Sequence, residues 1–452
     1  METVTTFEYT EFEYEITDGK ERLKDGKLYL KKETIEKLER LNESLKFAVI
    51  GRRKIKVLNY AGVIGLGDVR LEILPKFLKR RYDKGLLKSD EVEGREKILS
   101  NLLEMLKRTR RLNVKETDIA MLDKEDDFFE IFVYLFAKNL LNLLKCKVDA
   151  GYVRKNEELN FVRGKIDVKR YINPARFHRV PCVFYERSMD TPINRTLKYV
   201  CYLLSKKVSP ENYRLLKQII AILDPVTLTP VSADCIRKIT FNRLNKEFKP
   251  FIDFCEVVLR SSTLSLQGSQ IEFFSILFPM EKLFEEFIAE VIRTEDLHKK
   301  VFEDCVLQIQ QEKKEKDRKY FVTKPKKMFE LIPDIVIKAG NERFVIDTKY
   351  KLLDPEDRKL GVSQQDLYQI FAYCKALKAE KALLLYPKEL NENDNKEIEE
   401  NFTLIDGTKV FVRTISLSYD LKEKWNDFVN ELKAILKCLK YKQTQVLVGK
   451  ET

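Results

Sequence analysis

The chain has 452 residues, 84 Lys and Arg against 72 Asp and Glu, a formal net charge of +12, and 44% apolar residues that include 28 Phe and 19 Tyr. That length and apolar content suit about two to four packed domains and exclude an intrinsically disordered chain, while only 15 Gly and 13 Pro exclude a fibrous or linker-dominated one. The basic excess favours phosphate-bearing partners, and with His178 and His298 as the only histidines any metal must rest on carboxylates. The eight cysteines contain no CxxC pair, which argues against a zinc ribbon and a disulfide framework and fits a reducing cytoplasm. The start of the chain lacks an apolar core ahead of a small-residue cleavage site, so no signal peptide is expected.

From Phe7 to about Arg70 the pattern alternates, with strands expected at Lys27 to Leu30, Phe47 to Ile50, Lys54 to Leu58 and Val69 to Leu74. This predicts a β-rich domain over residues 1–88, with Gly62, Gly65 and Gly67 punctuating two of its strands. Gly67 is followed by Asp68, not by Lys and Ser or Thr, and no GxxxxGK[ST] occurs, so the chain itself is expected to bind no nucleotide. Between Glu91 and Lys147 the apolar spacing turns helical. The stretch Phe128 to Leu144, broken by Glu130 and Lys138, is too short to span a bilayer comfortably and reads as a buried helix.

A strand is expected at Leu159 to Val168, and a helix at Asn194 to Lys206 opened by the turn Asp190-Thr191-Pro192. The region to about Arg260 reads as mainly helical, a middle domain over 89–268 ending in a linker at Ser261 to Ser269. Residues 269–452 begin with a helix at Met280 to Arg293, then strands near Val301 to Gln311 and at Lys319 to Thr323. They continue with a hairpin at Ile332 to Leu352, a helix at Ser363 to Leu377, a strand at Ala382 to Tyr386, a hairpin around Asp406-Gly407 and an amphipathic helix at Leu421 to Leu439. The expected fold class is α+β and multidomain.

The chemistry concentrates in the hairpin. Gly340-Asn341 between apolar runs suits a two-residue turn with glycine first. Counting outward pairs Ala339 with Glu342, Ile337 with Phe344, Ile335 with Ile346 and Asp334 with Asp347, so two aspartates oppose each other where like charges destabilise a sheet. Period-two alternation puts Lys349 on the face of Asp347, beside Val336 and Val345, while Ile335, Ile337, Phe344 and Ile346 form a core face. Two carboxylates with open positions suit Mg²⁺, which activates water for phosphodiester hydrolysis, and an adjacent lysine can offset transition-state charge. The alternative is that both aspartates are solvated strand residues neutralised by Lys338, Arg343 and Lys349. Glu281 and Glu285 share a helix face, and either could add a carboxylate or stay solvated. Ser363 can cap a helix on which Gln369 and Tyr373 share a face, to bind phosphate, orient the lysine or serve structure alone.

The helix, Pro333-Asp334, Asp347-Thr348-Lys349 and Gln369-x-x-x-Tyr373 resemble the PD-(D/E)XK nuclease superfamily and its RecB-like branch, whose αβββαβ order matches the expected elements. Gly62 to Gly67, Leu71-Glu-Ile-Leu-Pro75-Lys76, Arg163-Gly164-Lys-Ile-Asp167, Asp190 to Lys198 and Leu283-Phe284-Glu285 resemble the McrC family of modification-dependent restriction nucleases, over about residues 60 to 375. The resemblance implies that Asp334, Asp347 and the Thr348 backbone carbonyl are metal ligands, Lys349 the catalytic lysine, Glu285 the helix carboxylate, and Gln369 and Tyr373 supporting groups. It implies Mg²⁺, with Mn²⁺ as a substitute, an McrB-like GTP-hydrolysing AAA+ hexamer whose GTPase is stimulated, double-stranded DNA containing modified cytosine, no membrane, and partner docking through the N-terminal and middle regions.

The densest basic runs are Arg52-Arg53-Lys54, Lys79-Arg80-Arg81, Lys107 to Arg111 and Lys324-Pro-Lys326-Lys327. Each is a phosphate-tracking surface or an ordinary solvated face, and the last, just ahead of the hairpin, is the preferred DNA contact. Two further readings stand beside the restriction nuclease: a stand-alone RecB-like DNA-processing nuclease, and a catalytically silent adaptor that activates a AAA+ ring.

Overall fold

The computed structural model describes residues 2–76, 85–88, 95–109, 128–171, 179–262, 273–310, 318–324, 326–354, 357–388, 398–417 and 420–440. Lys79-Arg80-Arg81, Arg110-Arg111 and residues 263–269 of the expected linker lie outside these.

The N-terminal region is β-rich, as its alternation predicts. Strands β1 (Glu2–Phe7), β2 (Glu11–Ile16), β3 (Arg22–Lys24) and β4 (Lys27–Leu30) precede helix α1 (Lys32–Leu45). Strands β5 (Ala48–Ile50), β6 (Lys54–Val57), β7 (Tyr60–Leu66), β8 (Val69–Leu74) and β9 (Leu87–Lys88) follow. One five-stranded sheet has the order β3-β4-β2-β6-β5. The other adds β13 (Phe273–Pro279) at its edge, in the order β13-β7-β8-β1-β9, so a strand from beyond the expected linker completes the sheet of the first region. Gly62 and Gly65 do not separate strands; both lie within β7, and only Gly67 turns the chain into β8. Gly62 has φ +142°, and a Cβ there would collide with the Ile276 backbone of β13, so only glycine allows that strand to pair.

The middle region is built on α2 (Arg95–Arg108), α3 (Phe128–Cys146), α4 (Pro192–Leu204), α5 (Pro210–Ile222) and α6 (Lys249–Ser262). Helix α3 is a buried element: Phe128, Phe132, Leu135 and Leu140 are almost wholly covered, and Phe136 stacks on Phe254 at 4.7 Å. No helix among the described residues is long and apolar enough to cross a membrane. Thr191 caps α4 by accepting from the Asn194 amide, with Pro192 at its first position. The expected strand at Leu159 to Val168 is displaced. Strand β10 (Gly151–Leu159) ends where it was to begin, and β11 (Lys165–Ile166) supplies only two residues. These join β12 (Val180–Ser188) in a three-stranded sheet, order β10-β12-β11, within a region read as mainly helical. Most of β10 stands in solvent, so it carries no apolar alternation to reveal it.

The last region starts with α7 (Met280–Thr294) and β14 (Cys305–Ile309). A separate hairpin, β15 (Lys319–Val322) and β16 (Met328–Leu331), precedes β17 (Ile335–Ala339) and β18 (Glu342–Thr348). Helix α8 (Gln364–Leu377), β19 (Lys381–Pro387), β20 (Glu399–Thr403), β21 (Lys409–Ile415) and α9 (Trp425–Lys437) complete it. The six-stranded sheet has the order β14-β17-β18-β19-β21-β20, with β18, β19 and β21 parallel. Both its faces are covered. Ile335, Ile337, Phe344 and Ile346 join the large core that includes α3, α6 and α7, as their alternation predicts. Val336 and Val345, placed by the sequence beside the aspartates, lie in a second core with Ile370, Tyr373 and Cys374 of α8.

Candidate active site

Gly340 has φ +56°, and the hairpin pairs Ala339 with Glu342, Ile337 with Phe344 and Ile335 with Ile346. The register derived from the two-residue turn therefore holds, and it leads Asp334 and Asp347 to the same end of the sheet. Asp334 is locked there: its Oδ2 accepts from the Thr348 amide at 2.7 Å and the Thr348 hydroxyl at 2.8 Å. Thr348, expected to matter through its carbonyl, fixes Asp334 through its amide and hydroxyl. Asp347 is 1% exposed, and the Lys349 ammonium lies 2.5 Å from its Oδ2. The two form a buried ion pair in which Lys349 favours the charged Asp347 against its burial.

Lys349 is held from the other side. Its ammonium donates to Gln369 Oε1 at 2.9 Å, and Gln369 Nε2 donates to the Tyr373 hydroxyl at 2.7 Å. Of the roles open to Gln369 and Tyr373, the structure brings the pair to the lysine. Helix α8 can present them because its start is fixed by a capping box, in which Ser363 accepts from the Asp366 amide and Asp366 accepts from the Ser363 amide. Asp366 also binds Lys351 at 3.1 Å, so the segment after Lys349 is tied to the same helix end.

Glu281 and Glu285 diverge. Glu281 accepts from Asn59 Nδ2 on the N-terminal region. Glu285 is the one whose charge reaches Asp334 and Asp347. Burial raises the Asp347 carboxyl to about 7, Asp334 adds to the rise, and Lys349 opposes it. Burial and then the Glu285 charge lift Asp334 to about 6. Glu285 rises to about 7 through burial, Glu286 and Asp347. Burial alone would lower Lys349, but Asp347 and Asp334 outweigh it and keep the ammonium above its ordinary value. Three carboxylates therefore face two ammonium groups, Lys349 and, beside Glu285, Lys282, in a desolvated place, and that excess of acid is what a divalent cation would relieve.

Among the described residues, no three His, Cys, Asp or Glu side chains are gathered closely enough to form a metal shell by themselves. Asp347, with Asp334 at the same sheet end, fits a hard ion that takes one or two carboxylates and fills its remaining positions from water and substrate.

A second buried charge cluster, with no local signal in the sequence, joins this site to the N-terminal sheet. Glu8, which follows β1, accepts at Oε2 from the Lys76 amide at 3.0 Å and from the Tyr350 hydroxyl at 2.7 Å. The Lys76 ammonium donates to the Tyr350 carbonyl at 2.8 Å and lies 4.3 Å from the ring centroids of both Tyr9 and Tyr350. Tyr350 is the residue after Lys349. Of these groups only Lys76 falls within a motif visible in the sequence.

The basic runs separate. Lys324, Lys326 and Lys327 are exposed between β15 and β16. Lys107 and Arg108 pair with Glu104 at 3.2 and 2.8 Å, and Lys54 pairs with Glu11 at 2.8 Å, which leaves Arg52 and Arg53 as exposed neighbours.

The fold is a mixed α/β architecture in which a sheet end carries an acid–lysine cluster. The model of the McrBC 5-methylcytosine restriction system component family matches residues 55–387, and the chain belongs to that family. Its fold is similar to a chain of the refined half-complex from the tetradecameric assembly of Thermococcus gammatolerans McrB AAA+ hexamers with bound McrC. That similarity has TM-score 0.64 and 20% identity, and covers 97% of this chain and 100% of that one. A chain of the cryo-EM structure of the Thermococcus gammatolerans McrBC complex matches with TM-score 0.49 and 22% identity, over 64% of this chain and 87% of that one. No curated protein matches.

Proposed function

We propose that the chain is the nuclease subunit of a modification-dependent restriction complex, a Mg²⁺-dependent endodeoxyribonuclease of the PD-(D/E)XK type. On this reading it works with a GTP-hydrolysing McrB-like AAA+ hexamer, stimulates it, and cuts double-stranded DNA in which the partner reads modified cytosine. The observation that carries the reading is the meeting of Asp334, Asp347 and Lys349 at one sheet end, beside Glu285 and with Gln369 holding the lysine. The order α7, β14, β17, β18, α8, β19 adds support, being αβββαβ with the β15–β16 hairpin inserted.

Asp334, Asp347 and the Thr348 backbone carbonyl would hold Mg²⁺, or Mn²⁺ in its place, which when bound supplies charge to polarise a phosphoryl oxygen and acidify an attacking water. Thr348 keeps Asp334 in its rotamer without needing the ion. Lys349 stays charged at neutral pH and, fixed by Gln369, offsets negative charge that develops on the phosphate. Glu285, lifted to about 7, is suited to accept a proton near neutral pH. Lys324, Lys326 and Lys327 track phosphates without reading sequence.

The test is cleavage of 5-methylcytosine-containing duplex DNA by the chain with its partner, GTP and Mg²⁺. Asp347→Ala and Lys349→Ala should abolish cutting while stimulation of partner GTPase survives. Unchanged cutting would overturn the site assignment. Loss of both activities in a folded variant would overturn the separation of roles.

A further inference from the structure

The β15–β16 hairpin pairs Lys319 with Leu331, Tyr320 with Glu330 and Val322 with Met328, which sets Phe321 opposite Phe329. Both rings stand in solvent, at 68% and 72% exposure, and Met328 is 42% exposed. Phe329 also has φ +58°, a left-handed conformation that a bulky side chain adopts only at a cost. Around the rings, Lys319, Lys324, Lys326 and Lys327 are all exposed. The acid among the described residues of the hairpin, Glu330, is paired with Arg318 at 3.6 Å.

Two solvated aromatic rings on a hairpin with four exposed lysines, of which Lys327 lies 5.8 Å from the Tyr320 ring centroid, match a ligand that is anionic outside and flat and apolar within. A nucleic acid has that chemistry: phosphates on the rim, base faces behind them. The placement fits as well. Leu331 packs into the core beneath α8, the helix that carries Gln369, and Phe329 precedes Asp334 by five residues, at most about 17 Å even if the chain were fully extended. At 3.4 Å per base step, that keeps the rings within about five base pairs of the acid–lysine cluster.

Resting on the nuclease reading above, we propose that this hairpin is a DNA-distorting arm. Its lysines hold the phosphates, and Phe321 and Phe329 enter a base step of the duplex and stack on the unstacked bases a few base pairs from the cut. Apolar wedges of this kind kink a duplex and expose the backbone that they bend.

The test uses the full chain, alone and with its AAA+ partner, and 5-methylcytosine duplexes carrying 2-aminopurine at successive positions. Wild type should change the fluorescence at one step only, and Phe321→Ser with Phe329→Ser should abolish that change and weaken binding about tenfold. The salt dependence of binding should be unaltered in this variant. Lys324→Ala, Lys326→Ala and Lys327→Ala together should instead flatten the plot of log K against log salt by up to about 2.7. Because both rings are exposed, circular dichroism should show the serine variant folded. A serine variant that binds and perturbs DNA like wild type overturns the arm, as does one that keeps DNA binding but loses the AAA+ partner. If Asp347→Ala abolishes cutting while the serine variant behaves as wild type, only the arm fails. If Asp347→Ala cuts normally while the fluorescence result is as expected, the active-site reading fails and the arm stands.

Discussion

Two buried charge clusters lie on either side of Tyr350, and they solve the problem of desolvated charge differently. The Glu8 cluster matches one carboxylate with one ammonium and a phenol, with Lys76 also in contact with two aromatic rings, although burial still raises Glu8 to about 7 and its Oε1 has no hydrogen-bond partner among the described residues. The cluster at Asp334, Asp347 and Glu285 keeps an excess of acid, three carboxylates against Lys349 at Asp347 and Lys282 beside Glu285. A compensated cluster joins regions of a fold. An excess of buried acid is what the proposed Mg²⁺ would compensate.

Substitutions can break this contrast. Lys76→Met leaves Glu8 buried without its cation and should cost about 3–5 kcal/mol in urea unfolding, with or without Mg²⁺. A loss that Mg²⁺ reverses would show that the two clusters are not distinct. Lys349→Ala should reduce cleavage to background, at least about 100- to 1,000-fold, as loss of a group that stabilises transition-state charge does, and, because it leaves buried Asp347 without its cation, should also lower the unfolding midpoint in metal-free buffer, a loss that Mg²⁺ should offset.

A subtler difference lies in pH. Asp347 has its folded pKa raised to about 7, so its contribution to stability is fully present below about pH 4 and is lost as pH rises through 7. In metal-free buffer at pH 8, Asp347→Asn should therefore be more stable than wild type by about 1–3 kcal/mol, with the gap closing near pH 4. Mg²⁺ should stabilise wild type at pH 8 and not the variant. Glu8, also raised to about 7, loses stability over the same range, but Mg²⁺ should not restore it. Thermal melts at the two pH values, with and without the ion, read both effects. The smallest effect is expected for Gln369→Ala, which frees Lys349 without removing it: about a tenfold drop in kcat with KM unchanged, partly rescued by Gln369→Glu.

The division between what was legible in the sequence and what was not follows the range of the forces. A two-residue turn and period-two alternation are local, so residues 334–349 by themselves determined that Asp334, Asp347 and Lys349 would meet. Capping chemistry at Thr191 and Ser363 determined where two helices start for the same reason. Tertiary packing alone decided that Glu285 and not Glu281 joins the acids, because Asn59, 222 positions away, takes the other. It alone brought Glu8 to Tyr350, 342 positions apart, and β13 onto β7. It also exposed β10, whose polar sequence hid a strand, since a strand with no face to bury leaves no apolar period to read.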